Sequence, residues 1–192
     1  MDQNLITIRH ERSKKDYPEL NLEDDEYVEL AFVRATVCYF LLWGVVALGL
    51  IVLLLALLIF ANSSFEIDNM GRNFMTMIVV AILAVLIIGG LIVTKIYRSN
   101  KMFITNKRVT QMIMHTLVSN SVNIIDLSSI EDVSFRQNSL VEKLFGYGTL
   151  RLSTVGDETT YTFPCAKVDP KEISLIVKLV NDDKEKNDGK GN

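Results

Sequence analysis

Two long apolar segments without a charged side chain constrain this 192-residue chain more than any other feature. No Asp, Glu, Lys or Arg occurs in residues 35–65, and none occurs in residues 73–94. Within them, residues 35–61 and 74–94 are apolar on every face. Each is long enough to form a helix of about 20 residues, which crosses a hydrocarbon core of ~30 Å. The sequence therefore predicts an integral membrane protein with two transmembrane helices.

The connector between the two helices, residues 62–73, is short and polar, so the helices must run antiparallel as a hairpin. Lys and Arg near the ends of transmembrane helices are enriched on the cytoplasmic side. Arg72 is the only basic residue in the connector, whereas five basic residues follow the second helix: Lys95, Arg98, Lys101, Lys107 and Arg108. We therefore predict an external connector and two cytoplasmic termini.

The absence of charge in the predicted transmembrane helices also bears on function. Ion pathways, proton relays and substrate sites in membranes usually need an ionisable side chain, and neither helix has one. A transporter is therefore disfavoured. For the same reason, a small oligomeric channel is the function that we disfavour most.

The two ends of the chain are polar. Residues 1–34 carry five basic and nine acidic side chains, and an acidic cluster at residues 23–26 precedes an alternating apolar stretch at residues 27–33. We predict a loosely structured cytoplasmic N-terminal segment. Residues 182–192 have almost no apolar side chains to offset the entropy of ordering, so we predict a disordered tail.

The remaining region, residues 95–181, has the pattern of a small cytoplasmic domain. Six runs rich in β-branched and aromatic residues are separated by polar breaks, and three of them, at residues 130–137, 148–155 and 159–165, alternate between apolar and polar side chains, which is typical of strands with one buried face. A hairpin turn is predicted at residues 156–158. The six predicted strands are residues 101–105, 109–118, 122–127, 130–137, 148–155 and 159–165.

Two capping boxes predict helices in this domain. Ser139 and Glu142 are spaced so that their side chains satisfy the free amides of a short helix, which Gly146 ends. Asp169 and Glu172 have the same spacing and begin a second helix. The second helix has one apolar stripe, so we expect it to close the open side of the sheet.

Three segments of this region, taken in order, resemble the YdbS-like bacterial PH domain, also called the bacterial membrane-flanked domain. They are FITNKRV at residues 103–109, IDLSSIEDV at 125–133 and LFGYGTL at 144–150. Residues 26–34 resemble the segment by which such proteins reach their first helix, although the basic-histidine pair usual in the family is replaced by Ala35 and Thr36.

The resemblance implies a pleckstrin-homology-like fold of about seven strands with a C-terminal helix. The predicted fold class is therefore an α+β membrane protein, in which a two-helix transmembrane hairpin is followed by a PH-like antiparallel β-barrel or sandwich. The residues themselves predict six strands, and the long run at residues 109–118 has room for the missing turn. The resemblance also implies the inner membrane of a bacterium.

No constellation in the sequence predicts catalysis or a cofactor. His10 and His115 are the only histidines, and neither lies near Cys165 in sequence, so neither a zinc site nor a Cys-His pair is indicated. Residues 146–148 follow a helix and precede a strand, which is the reverse of a phosphate loop. We predict a protein that is not an enzyme, with no catalytic residue, no metal and no nucleic-acid partner.

The predicted function is a protein-interaction or self-assembly module, held by the lipid bilayer at the cytoplasmic face. Its partner is an unidentified membrane or cytoplasmic protein, or further copies in a homo-oligomer. The alternative is binding of an anionic lipid headgroup, or sensing of the membrane state, through Lys101, Lys107 and Arg108. Residues 95–125 contain five basic and no acidic residues, and each charge near an anionic surface contributes roughly 1 kcal/mol.

Overall fold

The computed structural model describes residues 3–62, 69–154 and 160–188. The chain divides into two compact units. One unit combines Met1–Ala35 with Arg98–Asn192, and the other is Thr36–Tyr97. The predicted turn at residues 156–158 lies outside the described residues, as does part of the predicted connector.

Five α-helices and seven strands follow one another along the described chain. In order they are α1 (Gln3–Asp16), β1 (Val28–Val33), α2 (Thr36–Asn62), α3 (Asn69–Ser99), β2 (Lys101–Thr105), β3 (Arg108–Met114), β4 (Asn120–Asp126), β5 (Ile130–Arg136), α4 (Leu140–Phe145), β6 (Gly148–Thr154), β7 (Thr160–Ala166) and α5 (Pro170–Asp188). A 3-10 turn at Leu127–Ser129 connects β4 to β5. The six strands predicted from the sequence are confirmed, with shifts at their ends.

The first sheet has the order β1-β2-β3-β4 and is antiparallel throughout. Its first strand comes from the N-terminal segment, so the prediction of a loosely structured segment was wrong. β1 pairs with β2, and Val33 is the register partner of Lys101. The alternating stretch at residues 27–33 forms a strand because a partner distant in sequence pairs with it. The apolar unit Thr36–Tyr97 is therefore an insertion between two neighbouring strands of one sheet.

The turn expected within residues 109–118 is present, but the seventh strand is β1, which precedes the apolar helices. The run at residues 109–118 holds one strand, because β3 ends at Met114 and a turn follows it. The second sheet has the order β5-β6-β7, and an isolated bridge between Arg34 and Ala166 joins it to the end of β1. The fold is thus α+β with PH-like antiparallel sheets, and the sheets do not close into a barrel.

The core of the first unit lies between the two sheets and α5. Inward-facing side chains of both sheets are buried there, including Phe32, Ile104, Leu150 and Phe163. Ile176 of α5 is fully buried in the same cluster, so α5 covers the open side of the sheets as predicted. The helix continues through Asp188, which corrects the prediction of a disordered tail from residue 182.

The capping box of α4 has the predicted geometry. The Glu142 amide donates to Ser139 Oγ over 3.1 Å, and the Ser139 amide donates to Glu142 Oε2 over 3.0 Å. Gly146 ends the helix with a φ of 66°, which a residue without a side chain adopts at little cost. At α5, the Asp169 amide donates to Glu172 Oε2 over 2.7 Å.

The second unit consists of two apolar helices that contact each other. The Trp43 ring of α2 lies directly against Gly90 of α3, where any larger residue would meet the ring. Thr94 Oγ1 donates to the hydroxyl oxygen of Tyr39 over 3.1 Å. Both helices are long and apolar enough to cross a membrane, over Thr36–Leu55 and Thr76–Ser99. α3 extends past the predicted residues 74–94 at both ends, since a helix need not end where its apolar stretch ends.

Candidate functional site

The N-terminal segment covers part of the outer face of the first sheet. Phe103 of β2 points away from the main core, and the Tyr17 ring packs edge-on against it at 5.2 Å between centroids. Leu20 and Tyr27 are also buried outside the main core. Ser13 ties α1 to β1, because its Oγ accepts the Val28 amide over 3.0 Å. Apolar side chains of residues 17–27 thus form a second apolar layer on this sheet.

A fully buried carboxylate, Glu26, lies at the end of this layer. Its Oε1 accepts from Arg108 Nε over 2.9 Å and from Thr105 Oγ1 over 2.8 Å. Its Oε2 accepts from Arg108 Nη2 over 2.8 Å and from the Glu23 amide over 2.9 Å. All of these donors favour the ionised carboxylate, and the guanidinium binds it in the two-point geometry that makes such pairs strong.

The pKa of Glu26 is lowered as the result of opposing effects. Burial raises the pKa, because it removes water from the charged form. The Glu23 amide, Arg108 and Thr105 lower it, and together they outweigh the burial. Glu26 is therefore a charged group in the folded protein at neutral pH.

The three basic residues predicted to bind a lipid headgroup lie on β2, β3 and the turn between them, and each faces residues 19–26. Lys101 Nζ lies 2.5 Å from Glu19 Oε1, and this hydrogen bond lowers the pKa of Glu19. Lys107 Nζ donates to the Asp24 carbonyl over 2.9 Å. Arg108, besides pairing with Glu26, donates to the Asn21 carbonyl over 2.7 Å.

The acidic partners of these basic residues were missed in the sequence, although the acidic cluster was noted. Arg108 and Glu26 are 82 positions apart, and the two apolar helices lie between them. No local pattern links such residues. These partners could have been predicted only from the pairing of β1 with β2, because this pairing brings residues 19–26 beside the turn between β2 and β3.

A groove of about 720 Å³ opens beside the N-terminal segment. Its floor is apolar and consists of Met112 on β3 with Val122 and Ile124 on β4. The last two side chains are more than half exposed. Residues 19–24 form one wall and carry Glu19, Glu23 and Asp24 to the rim, with Lys107 and Arg108 at one end. The groove combines an apolar floor with a net acidic rim.

The groove also borders an edge of the first sheet. β4 is the last strand in the sheet order, and it pairs with β3 over its whole length. An edge strand offers backbone donors and acceptors to an incoming strand, and neighbouring pockets then select its side chains. This arrangement fits an extended polypeptide segment with apolar and basic side chains.

Ligands of a metal ion would come from the histidines, cysteines and carboxylates in the part of the chain that the structure describes. There, no three His, Cys, Asp or Glu side chains are placed to hold a metal ion. His10 Nδ1 lies 2.6 Å from the Glu26 carbonyl, and His115 Nε2 lies 3.1 Å from Ser121 Oγ. Each histidine thus has a separate structural contact, and the absence of enzymatic activity stays a prediction.

Three comparisons place the chain among known proteins. A search of curated proteins finds no significant match. The crystal structure of a DUF1696 family protein with a pleckstrin-homology domain, from Shewanella loihica PV-4, is similar over 44% of this chain and 70% of that protein, with 14% identity and a TM-score of 0.33. That likeness is too low to support an argument. The family model described as Bacterial PH domain matches residues 28–175, from the first residue of β1 into α5. The chain therefore belongs to the bacterial PH domain family.

Proposed function

We propose that the protein is a non-enzymatic, membrane-anchored member of the YdbS-like branch of this family, and that it acts as a protein-interaction module at the cytoplasmic face of a bacterial inner membrane. The groove between residues 19–24 and the outer face of β3 and β4 carries the proposal. Its apolar floor is open to solvent, while the basic residues nearby already have partners within the chain.

The anchoring part of the proposal rests on α2 and α3. Both have the length and composition of membrane spans. Because β1 and β2 belong to one sheet, the residues before α2 and after α3 must lie in the same compartment. Two crossings satisfy that requirement. The basic residues that follow α3 favour the cytoplasm as this compartment.

The proposed partner is a protein segment that adds to β4 as a further strand. Its apolar side chains would occupy the floor at Met112, Val122 and Ile124, and a basic side chain would face Asp24 at the rim. Main-chain hydrogen bonds supply affinity in such complexes, and alternate side chains supply specificity. In the self-assembly form of the same proposal, the added strand belongs to a second copy of this chain.

Binding of an anionic headgroup by Lys101, Lys107 and Arg108 is the alternative function. It requires an anionic lipid to displace Glu19, Glu23 and Glu26 from these cations. Lys107 is the most accessible of the three, with 42% of its side chain exposed, and its ion pair with Glu23 is long, at 3.5 Å. The alternative therefore depends most on Lys107.

Photo-crosslinking of the full chain in its native membranes tests the groove. A photoreactive phenylalanine replaces Val122, and in a matched control it replaces Leu144, which is also exposed and apolar but lies on α4. We expect position 122, and not position 144, to capture one partner protein or a second copy. Equal capture at both positions contradicts a specific site in the groove.

Two substitutions then separate the proposal from the alternative. Ile124→Asp is expected to reduce capture at position 122 by about tenfold or more, because an unpaired carboxylate on the floor resists desolvation. Lys107→Gln is expected to leave capture unchanged. If Ile124→Asp has no effect, and anionic lipid co-purifies with the protein but not with Lys107→Gln, the headgroup alternative is correct.

A further inference from the structure

The turn between β3 and β4 exposes two adjacent apolar side chains. Val118 is 96% exposed and Leu117 is 48% exposed. The turn is nevertheless ordered. The His115 amide donates to the Ser119 carbonyl over 3.0 Å, and the Ser119 amide donates to Thr116 Oγ1 over 3.0 Å. An ordered turn that presents apolar side chains, where polar residues are usual, indicates an apolar environment at its tip.

The sheet register fixes the direction in which this turn projects. Val33, Lys101, Met112 and Val122 lie side by side across the four strands. β3 runs parallel to β1, because each is antiparallel to β2. Past Met112, β3 therefore extends in the direction in which β1 leaves the sheet towards α2. The turn at residues 115–119 lies at the sheet end where the chain enters and leaves its two apolar helices.

A buried asparagine ties the end of β3 to the end of α3. Asn100 directly follows Ser99, the last residue of α3, and its Oδ1 accepts the Met114 amide over 2.6 Å. The chain folds back between His115 and Ser119, so the tip of the turn lies about three residues past Met114, which is at most ~10 Å at ~3.3 Å per residue. Thr94 ends the charge-free stretch of α3 five residues before Ser99, which is about 8 Å of helix. Only these five residues separate the charge-free stretch from the end of α3.

Charge gives independent support for an apolar environment. Residues 109–125, which include all of the turn and most of β3 and β4, contain no Asp, Glu, Lys or Arg. Transfer of charged groups towards a bilayer carries a large desolvation cost, and this hairpin avoids that cost. By contrast α4, which also exposes leucines, carries Glu142 and Lys143 among them.

We propose that Leu117 and Val118 insert into the interface of the bilayer that α2 and α3 cross. This contact would be the third attachment of the protein to the membrane, and it would hold the PH-like domain in one orientation at the surface. The partner is the lipid acyl chains near the headgroups, and not a specific headgroup. The inference rests on the membrane anchoring in the proposed function.

Tryptophan fluorescence of the full chain in phosphatidylcholine vesicles tests the contact. Trp43 is the only tryptophan, so Val118→Trp combined with Trp43→Phe gives a single probe at the turn. Vesicles with brominated acyl chains are expected to reduce its emission roughly twofold relative to unbrominated ones, as for side chains buried at the acyl boundary. The matched control is Asp126→Trp in the same background, at the opposite end of β4, and its emission is expected not to change.

The results separate this inference from the anchoring on which it rests. If Trp43 is quenched in the unsubstituted chain and position 118 is not, the membrane anchoring is supported and the proposed contact of the turn is wrong. If Trp43 is not quenched either, the proposed anchoring fails. Equal quenching at positions 118 and 126 also overturns the contact, because tryptophan itself would then be the cause. Leu117→Ser is expected to weaken quenching at position 118 and not at position 126.

Discussion

A chain that begins at Arg98 is expected not to fold, although it retains six of the seven strands and α5. β2 loses its neighbour β1, the core loses Phe32, and the layer over Phe103 loses Leu20 and Tyr27. Each large apolar side chain contributes about 1.5–3 kcal/mol when it is buried, and a domain has only about 5–15 kcal/mol of stability. Far-ultraviolet circular dichroism is expected to show no cooperative thermal transition.

The matched control keeps the N-terminal segment and omits the apolar helices. In it, a short Gly-Ser linker replaces residues 36–97 and joins Ala35 to Arg98. Val33 and Lys101 are direct register partners, so the ends to be joined lie close together. This joined chain is expected to unfold cooperatively. A cooperative transition of the chain beginning at Arg98, at the same temperature, would contradict the assignment of β1 to the domain.

Much of the fold could be predicted from the sequence because its signals are local. Runs rich in β-branched and aromatic residues between polar breaks predicted six strands, alternation with a period of two supported three of them, and β2 was predicted with its observed bounds. The capping boxes at Ser139 and Asp169 placed the starts of α4 and α5, since each depends on side chains three residues apart. These elements are defined by neighbours in sequence, which a pattern can show.

β1 could not be assigned in the same way, although its alternation was visible. Its partner β2 follows only after two apolar helices, and its acidic flank resembled a solvated segment. The candidate site could not be predicted for the same reason, because its residues are distant from one another in sequence. Counting charges identified Lys107 and Arg108, but a buried carboxylate such as Glu26 has no local signature. Val122 and Ile124 belong to a predicted strand, but the sequence did not show that their face of it is open.

Replacement of Glu26 by glutamine is expected to lower the free energy of unfolding by about 3 kcal/mol, as is usual when one member of a buried ion pair is removed. The glutamine has nearly the same shape but no charge, so Arg108 stays in place without a carboxylate. The side chain of Arg108 is only 19% exposed, and water replaces the lost interaction poorly. Urea denaturation of the joined chain at pH 7 measures the difference.

Glu23→Gln is the matched control for this substitution. Glu23 lies in the same segment and also faces Arg108, with its Oε1 3.7 Å from Nη1, but its side chain is 61% exposed. Exposed ion pairs contribute about 0–1 kcal/mol, so the control is expected to change stability little. A similar loss in both variants would show that general acidity of the segment matters, and not the buried pair.

The effect of Glu26→Gln is expected to depend on pH in a defined direction. The folded pKa of Glu26 lies below its unfolded value, because its hydrogen-bond donors outweigh burial. The stabilisation by its charge is therefore fully present above the unfolded pKa, at about 4.3, and is lost as the pH falls through the folded pKa. The difference between the parent and Glu26→Gln joined chains should be constant near neutral pH and should shrink under acid conditions. A difference that grows as the pH falls would contradict a charged Glu26. Without a charged Glu26, Arg108 would not be neutralised within the chain, and the headgroup alternative would be strengthened.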